Sequence, residues 1–322
     1  MRIAFTVCSA NYLPYAKALA DSLLQHNPGY QFVMALADTF RGYDAAFSAP
    51  HRIVPVTEMN LPYLDEMNGR YNVFELSCAL KPFVSEYLLH THPDCETIFY
   101  FDSDILLFGP LTLAETVLQT HSLVLTPHLS VALQYQTGIA TELDVLHTGL
   151  YNAGFFGLQR GAEGFAFLRW WQQRLRLHCF NDAAHGLFVD QLWLSLVPVL
   201  FRECFVLYDP GYNLAYWNFP ERSLTEVNGR LTVNEKHPLI FYHYSGYDIA
   251  QSEKVSKHDR EGHRLENLPQ YAPLFHAYRA AVNANNAVGF FSLPLTMGKQ
   301  KGTQVREKNF FKRKFRKLFK KS

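Results

Sequence analysis

The sequence predicts an α/β domain built on a mostly parallel sheet, and three observations predict it. Apolar segments of strand length alternate with longer segments of helical periodicity along most of the chain. The chain has 322 residues, of which 48% are hydrophobic, and this is enough for a sizeable core. Acidic or polar residues directly follow several of the apolar segments, at the edge where parallel sheets bind their ligands.

The first apolar segment, Arg2–Cys8, predicts a buried strand, because it is shorter than the apolar part of a signal peptide. A helix is expected next, since Leu19, Leu23 and Leu24 recur at helical spacing and the sequence Asn27-Pro28-Gly29 ends the pattern. Further strands are predicted at residues 30–38, 52–56, 97–101, 122–127, 150–159, 204–209 and 239–246.

Further helices are predicted at residues 73–90, 164–178, 188–201 and 271–285. The first of them contains Pro82, so we expect it to start or kink there, because proline removes a helical hydrogen bond. Residues 128–149 show no clear period and hold many polar side chains. An insertion or a mobile loop is predicted for that stretch.

Cysteine usage and hydropathy predict a cytoplasmic protein that is soluble or peripheral to a membrane. The cysteines are odd in number, scattered and free of CxxC pairs, which is typical of a reducing compartment without a zinc site. They are Cys8, Cys78, Cys95, Cys179 and Cys204. The longest later apolar stretch, residues 192–201, is about half the length of a membrane span.

Two carboxylates stand at the end of one predicted strand, in the sequence IFYFDSDILLF. Asp102 and Asp104 flank Ser103 and point to the same side of an extended segment, so both can bind one hard cation such as Mn²⁺ or Mg²⁺. Such a cation commonly bridges to substrate phosphates. The alternative is a turn in which one aspartate caps a following helix.

Candidate partners for the acidic pair lie far away in the sequence. His243 ends a late predicted strand and could add an imidazole ligand, although it could equally be an ordinary core or surface histidine. Asn152 and Gly154 adjoin a buried strand, where the amide could bind a sugar hydroxyl or the segment could form a bulge. Asp190 and Gln191 begin an apolar helix, and a capping role for Asp190 is the alternative to a catalytic one.

The order of these motifs resembles one family. The sequence reads SANY after the first strand, then ALKP, YFDSDILLF, YNAGFFGL, VDQLW and HYSG. This order resembles the GT-A fold glycosyltransferases of family eight, the broad group of glycogenin and the bacterial lipopolysaccharide galactosyl- and glucosyltransferases. The resemblance covers roughly residues 2–250. It implies a GT-A catalytic domain at residues 1–270, a helical extension at 271–298 and a separate tail at 299–322.

The resemblance also implies roles for individual residues. Asp102, Asp104 and His243 would hold Mn²⁺ (or Mg²⁺) that bridges the diphosphate of a nucleotide sugar, most often a UDP-sugar. The other implied residues are Asn11 near the nucleotide, Lys81 facing the donor, Asn152, Ala153 and Gly154 lining the sugar and acceptor site, and Asp190 and Gln191 on the reacting face of the donor sugar.

The chain departs from the family pattern at two positions. Ile249 stands where the family has a lysine that binds the phosphates, and Lys254 or Lys257 could replace that lysine. Ser9 stands where the family has an acidic residue.

The implied reaction is transfer of a hexose with retention at the anomeric carbon. Asp190 would then be a transient nucleophile or a purely electrostatic group. The alternatives are an inverting glycosyltransferase, a nucleotidyltransferase on a similar fold, or a catalytically inactive membrane-bound protein that binds glycans. A nucleotidyltransferase usually opens with a glycine-rich phosphate loop, which the sequence CSANYLP lacks.

The charge of the chain is concentrated in its tail. Residues 299–322 hold eleven Lys or Arg residues and one acid, so the remaining residues, with 19 basic and 28 acidic side chains, are mildly acidic. Phe311, Phe315, Leu318 and Phe319 recur at helical spacing among the basic residues, the pattern of a helix lying on an anionic membrane. The alternatives are a solubilising tail or a nucleic-acid patch.

We expect peripheral attachment to the inner face of the membrane, a lipid-linked or other glycan acceptor, and no nucleic-acid partner.

Overall fold

The computed structural model describes residues 1–43, 45–133, 142–259, 262–286 and 289–299, with only the backbone at residue 45. Within these ranges the strands are β1 Arg2–Cys8, β2 Tyr30–Leu36, β3 Arg52–Pro55, β4 Thr97–Phe101, β5 Ile105–Leu107, β6 Leu123–Pro127, β7 Tyr151–Gln159, β8 Asn181–Asp182, β9 Leu187–Phe188, β10 Cys204–Val206, β11 Leu224–Val227, β12 Arg230–Val233, β13 His237–Pro238 and β14 Phe241–His243. The helices there are α1 Leu13–His26, α2 Ala45–Ser48, α3 Leu64–Arg70, α4 Val73–Thr91, α5 Thr112–Val117, α6 Glu142–Thr148, α7 Ala162–His178, α8 Gln191–Leu194, α9 Val197–Leu200 and α10 Ala272–Ala284.

A seven-stranded sheet in the order β10-β6-β7-β4-β1-β2-β3 forms the centre of the protein. Strand β7 runs antiparallel to β4 and β6, and the other neighbouring pairs are parallel. Helices α4 and α7 contribute buried apolar side chains to the core on one face, and α1 does so on the other. The predicted mixed, mostly parallel sheet flanked by helices is therefore confirmed.

Helix α4 does not start at its proline, so that expectation is wrong, while the expected kink there stays a prediction. It runs unbroken from Val73 to Thr91, with Pro82 inside it. The Asn72 side chain caps the start of the helix by accepting a hydrogen bond from the Glu75 amide. In return, the Glu75 carboxylate accepts a hydrogen bond from the Asn72 amide. Burial of one whole face of the helix against the sheet outweighs the hydrogen bond that proline removes.

Two further predictions about elements are wrong in detail. The single helix predicted at residues 188–201 is two short helices, α8 and α9, preceded by the two-residue strand β9. The stretch predicted as an insertion or loop contains helix α6 at Glu142–Thr148, while its residues 134–141 lie outside the described ranges.

The C-terminal part of the described chain returns to the sheet. Helix α10 packs Phe275 against Tyr242 of β14, and Tyr278 stacks on Tyr244, the residue after β14, with ring centroids 3.8 Å apart. We call residues 289–299 the C-terminal strap. Within it, Thr296 donates to the Asp38 carboxylate at the end of β2, and the Lys299 amide donates to the Tyr71 carbonyl.

The domain boundaries at residues 270 and 298 stay predictions, and the tail at residues 300–322 lies outside the described ranges. Among the described residues, no helix combines the length and the apolar character needed to cross a bilayer.

Candidate active site

A small two-stranded ladder brings the acidic pair and its histidine together. The chain leaves β4, turns through Asp102-Ser103-Asp104 and continues as β5, which pairs antiparallel with β14. In this register His243 lies opposite Ile105, directly beside Asp104. Because a strand and not a helix follows the acids, the alternative in which one aspartate caps a helix is wrong.

The ladder positions three potential metal ligands within reach of one ion. The Nε2 atom of His243 lies 3.1 Å from Asp104 Oδ1 and 4.0 Å from Asp102 Oδ2. One donor atom from each of the three residues lies within 4.8 Å of the other two. Burial raises the pKa of Asp104, but His243, a backbone hydrogen bond and Lys81 together lower it by more, so the net shift is downward. Two carboxylates and an imidazole are a donor set that suits Mn²⁺.

Lys81 joins the acidic pair to a third carboxylate, that of Asp190. It extends from α4, buried, and its Nζ lies 3.1 Å from Asp102 Oδ1, 2.7 Å from Asp190 Oδ2 and 3.0 Å from the Ala153 carbonyl. Burial alone would lower the pKa of Lys81, but the two carboxylates raise it well above its ordinary value. Asp190 is 1% exposed, and burial raises its pKa although Lys81 acts in the opposite direction. Its carboxylate therefore pairs with Lys81, and the capping alternative is wrong because it makes no side-chain cap.

One glutamine, Gln191, fixes the N-terminal end of β7 through hydrogen bonds. Gln191 Oε1 accepts hydrogen bonds from Asn152 Nδ2 at 3.2 Å and from the Ala153 amide at 3.1 Å, while its Nε2 donates to the Thr148 carbonyl at 3.1 Å. The Oδ1 atom of Asn152 accepts from the Gly154 amide at 3.0 Å. Gln191 thus ties α8 to β7 and to the end of α6, and holds Asn152 and Ala153 beside the Lys81 ion pairs.

Gly154 permits the close approach of His243 to β7. A Cβ atom at this position would lie 2.4 Å from His243 Cε1 and 2.9 Å from its Nδ1. The Gly154 carbonyl also accepts the Asp102 amide at 2.8 Å. Gly154 therefore supports both sides of the cluster of potential metal ligands, and a side chain there would displace the imidazole.

Sequence reasoning missed two aromatic residues behind the cluster. His128 is buried, and this burial lowers its pKa to about 4, so its imidazole is neutral and Nε2 can accept the Asn152 amide at 3.2 Å. The Trp217 ring meets the rings of His128 and His243 edge-on, with centroids 5.4 and 5.2 Å away. His128 directly follows the strand predicted at residues 122–127, so the signal that identified Asp102 could have identified it too. Trp217 does not follow a predicted strand, so the sequence carried no local signal for it.

The segment after β1 contains Asn11, the residue predicted to lie near a nucleotide. Asn11 accepts a hydrogen bond from Ser9 Oγ at 2.6 Å and follows β1 as expected. Next to it, Tyr12 is 43% exposed, and its pKa is raised by burial and by the nearby Asp104. Asp38, buried at the end of β2, accepts the Phe40 amide at 3.0 Å. Its position after a predicted strand is the same signal that identified Asp102, and it could have been found that way.

Of the predicted residues, Lys81, Asp102, Asp104, Asp190 and His243 therefore form one connected cluster of ionisable groups. Asn152, Ala153, Gly154 and Gln191 adjoin it through backbone and amide hydrogen bonds, and Asn11 lies at the end of the neighbouring strand.

Comparisons with known proteins find distant relatives. No protein-family model matches the chain. The uncharacterized protein YfnF of Bacillus subtilis (strain 168) is 27% identical over 262 residues, which cover 78% of this chain and 84% of that protein. The uncharacterized protein YfnD of the same organism is 24% identical over 256 residues, 78% of this chain and 79% of that protein.

Among solved structures, the galactosyltransferase LgtC in complex with donor and acceptor sugar analogs is similar over 87% of this chain and 96% of its own, at 17% identity and a TM-score of 0.47. The glycosyltransferase GlyE of Streptococcus pneumoniae TIGR4 is similar over 93% of this chain and 65% of its own, at 14% identity and a TM-score of 0.48.

Proposed function

We propose that the protein is a metal-dependent glycosyltransferase of the GT-A fold that moves a hexose from a UDP-sugar to a lipid-linked or cell-surface glycan, with retention at the anomeric carbon. The observation that carries the proposal is the meeting of Asp102, Asp104 and His243 beside the Lys81–Asp190 ion pair. This arrangement puts a site for a divalent cation next to a buried carboxylate, at the carboxyl edge of a mostly parallel sheet.

The three ligands suit Mn²⁺ or Mg²⁺ bridged to a diphosphate. A bound ion supplies Lewis acidity that stabilises the leaving nucleoside diphosphate. The side chains of Asp102 and Asp104 are 33% and 27% exposed, so a diphosphate can reach the ion from solvent. The His243 side chain is 3% exposed and forms the inner wall of the site.

Asp190 stabilises the positive charge that develops at the anomeric carbon, either as a nucleophile or as an electrostatic group. Lys81 holds the Asp190 carboxylate 2.7 Å from its ammonium and so keeps the carboxylate oriented. Gln191 positions Asn152 and Ala153, because its Oε1 accepts hydrogen bonds from β7 and its Nε2 donates to the Thr148 carbonyl. Asn152 and Ala153 line the sugar and acceptor site, and Asn11 lies toward the nucleotide.

Hydrolysis of the donor without an acceptor tests this function. The full chain is incubated with Mn²⁺ and, separately, with UDP-glucose, UDP-galactose and the matching GDP- and dTDP-sugars, and release of the nucleoside diphosphate is measured. We expect slow release from a UDP-sugar that EDTA stops and added Mn²⁺ restores. Release that persists undiminished in EDTA would contradict metal dependence, and failure with all donors would contradict the transferase itself.

Gly154→Ala is expected to weaken Mn²⁺ binding by roughly 10–100-fold, the range for changes that misorient a metal ligand. The added methyl group would meet His243 Cε1 at 2.4 Å and push the imidazole away from the acidic pair. The measurement is Mn²⁺ titration followed by electron paramagnetic resonance. Gly29→Ala is the matched control, because nothing lies within 4 Å of a Cβ there. Equal Mn²⁺ affinity in both variants would contradict the role given to Gly154.

The basic tail attaches the protein to the cytoplasmic face of an anionic membrane. Each basic residue near such a surface adds about 1 kcal/mol of attraction. We expect a chain that ends at Lys299 to lose binding to vesicles of anionic lipid while it keeps its fold, because the last described hydrogen bond, from the Lys299 amide to Tyr71, is retained. Sedimentation with anionic and with neutral vesicles measures this. Equal binding of the full and the shortened chain would contradict it.

A further inference from the structure

The leaving diphosphate needs more positive charge or more hydrogen-bond donors than the residues described so far supply. Asp102 and Asp104 offset the charge of a bound divalent cation, so the cation and its ligands together leave the diphosphate only partly neutralised. Lys81 is buried and already pairs with two carboxylates and one carbonyl. A further donor must therefore come from another segment that borders Asp104.

One segment folds back onto the turn that follows His243. Two hydrogen bonds hold it there: the Lys257 amide donates to the Gly246 carbonyl at 2.9 Å, and Ser256 Oγ donates to the Ser245 carbonyl at 2.9 Å. Within the segment, the His258 amide donates to Ser256 Oγ at 3.0 Å. Ser256 is buried, whereas Lys257 and His258 are exposed. The segment is therefore fixed to the turn by its buried side and presents its basic side chains outward.

Gly246 lets the imidazole of His258 lie directly on this turn. Its φ of +72° is in the left-handed region, and a Cβ atom there would be 2.4 Å from His258 Cδ2 and 3.0 Å from its Nε2. The ring edge that carries Nε2 thus sits against the backbone three residues beyond His243. Partial burial and the adjacent Lys257 lower the pKa of His258, while Asp104 acts in the opposite direction, which places the ring within the electrostatic range of that carboxylate.

The fold-back is anchored to the core and is not an isolated loop. The Leu265 amide donates to the Glu253 carbonyl at 2.8 Å, and the Val255 amide donates to the His263 carbonyl at 3.3 Å. Val255 and Leu265 are both buried in the apolar cluster that also holds Tyr244. These contacts fix the position of residues 255–258 against the turn that follows His243 before any ligand arrives.

We propose that His258 donates a hydrogen bond from its imidazole to the diphosphate of the nucleotide donor and so binds the leaving group in the site proposed above. The inference rests on that proposed function. When the bond from the anomeric carbon to the phosphate oxygen breaks, its electron pair stays on the oxygen, and the imidazole N–H stabilises that charge by hydrogen bonding, without giving up its proton. The diphosphate is the ligand, and the nucleoside is bound elsewhere.

A comparison of UDP binding with uridine binding distinguishes a contact with the diphosphate from an effect on the fold or on the nucleoside site. We expect His258→Ala to weaken UDP binding in the presence of Mn²⁺ by roughly tenfold, as for a hydrogen bond to a charged group, and to leave uridine binding unchanged. His258→Lys, which restores a donor of similar reach, should recover most of the UDP affinity. His276→Ala is the matched control, an exposed histidine on α10. Isothermal titration calorimetry on the full chain measures all four proteins.

Three outcomes would overturn the inference. Unchanged UDP affinity in His258→Ala would exclude a contact with the diphosphate. Equal losses for UDP and for uridine would indicate a general effect of the substitution on the fold or on the nucleoside site. If the unaltered protein bound UDP in neither the presence nor the absence of Mn²⁺, the proposed function would fail together with the inference, whereas the first two outcomes would leave the proposed function intact.

Discussion

Asp104→Ala is expected to reduce metal-dependent donor turnover by roughly a thousandfold, because Lewis acidity at the diphosphate is worth several kcal/mol. Its carboxylate faces His243 Nε2 at 3.1 Å, so the substitution removes one of three potential ligands and its charge. Asp102→Ala should have a similar effect on turnover. The fold should survive in Asp104→Ala, since its carboxylate is partly exposed and the Asp104 carbonyl still accepts the Tyr244 amide.

The measurement is release of nucleoside diphosphate from the best UDP-sugar at saturating Mn²⁺, with circular dichroism as a check of folding. Asp65→Ala is the matched control, because it removes an exposed acid from the helix α3, outside the cluster. Turnover within a few-fold of the unaltered protein in Asp104→Ala would contradict a metal site at this pair.

Lys81→Met is expected to cause the largest loss of stability, about 3–5 kcal/mol of unfolding free energy, the range for removal of one partner from a buried ion pair. It leaves Asp190, which is 1% exposed, without its cation, and it also removes a partner from Asp102. The double substitution Lys81→Met with Asp190→Asn should recover part of the loss, because the uncompensated buried charge is then gone.

Urea unfolding of the three proteins, followed by fluorescence, measures the change. Arg264→Met serves as control: it removes an exposed partner of Glu266, and such surface pairs contribute less than about 1 kcal/mol. If Lys81→Met cost no more than this control, the buried ion pairs would not be a source of stability. If the double substitution were less stable than Lys81→Met, the loss would not come from the isolated charge of Asp190.

The central sheet and much of the site could be predicted because their signals are local. Strands such as β1 and β4 are continuous apolar segments, and the acids follow β4 directly in the sequence. Helix α4 shows where the local signal fails: Pro82 predicts a start or a kink, but the helix begins at Val73, and eleven of its residues are buried. Gln172 of helix α7 donates a hydrogen bond to the Pro82 carbonyl, and no sequence pattern predicts this contact.

The parts of the site that could not be predicted depend on contacts between distant segments. The ladder of β5 and β14 is three residues long on each side, too short to be distinguished by periodicity, yet it alone sets His243 beside Asp104. The approach of His258 to Gly246 depends on a fold-back whose hydrogen bonds are mostly between backbone atoms. Backbone contacts of this kind leave little trace in the identity of the side chains.

The order of the segments along the chain also has a consequence for biosynthesis. The ribosome completes Asp102 and Asp104 long before His243, and at about 5–20 residues per second the interval is roughly 7–30 seconds. For the first part of that time β4 lacks its neighbour β7, and the contact of the C-terminal strap with Asp38, just after β2, comes later still. The nascent chain therefore cannot bring its three potential metal ligands together before His243 has left the ribosome.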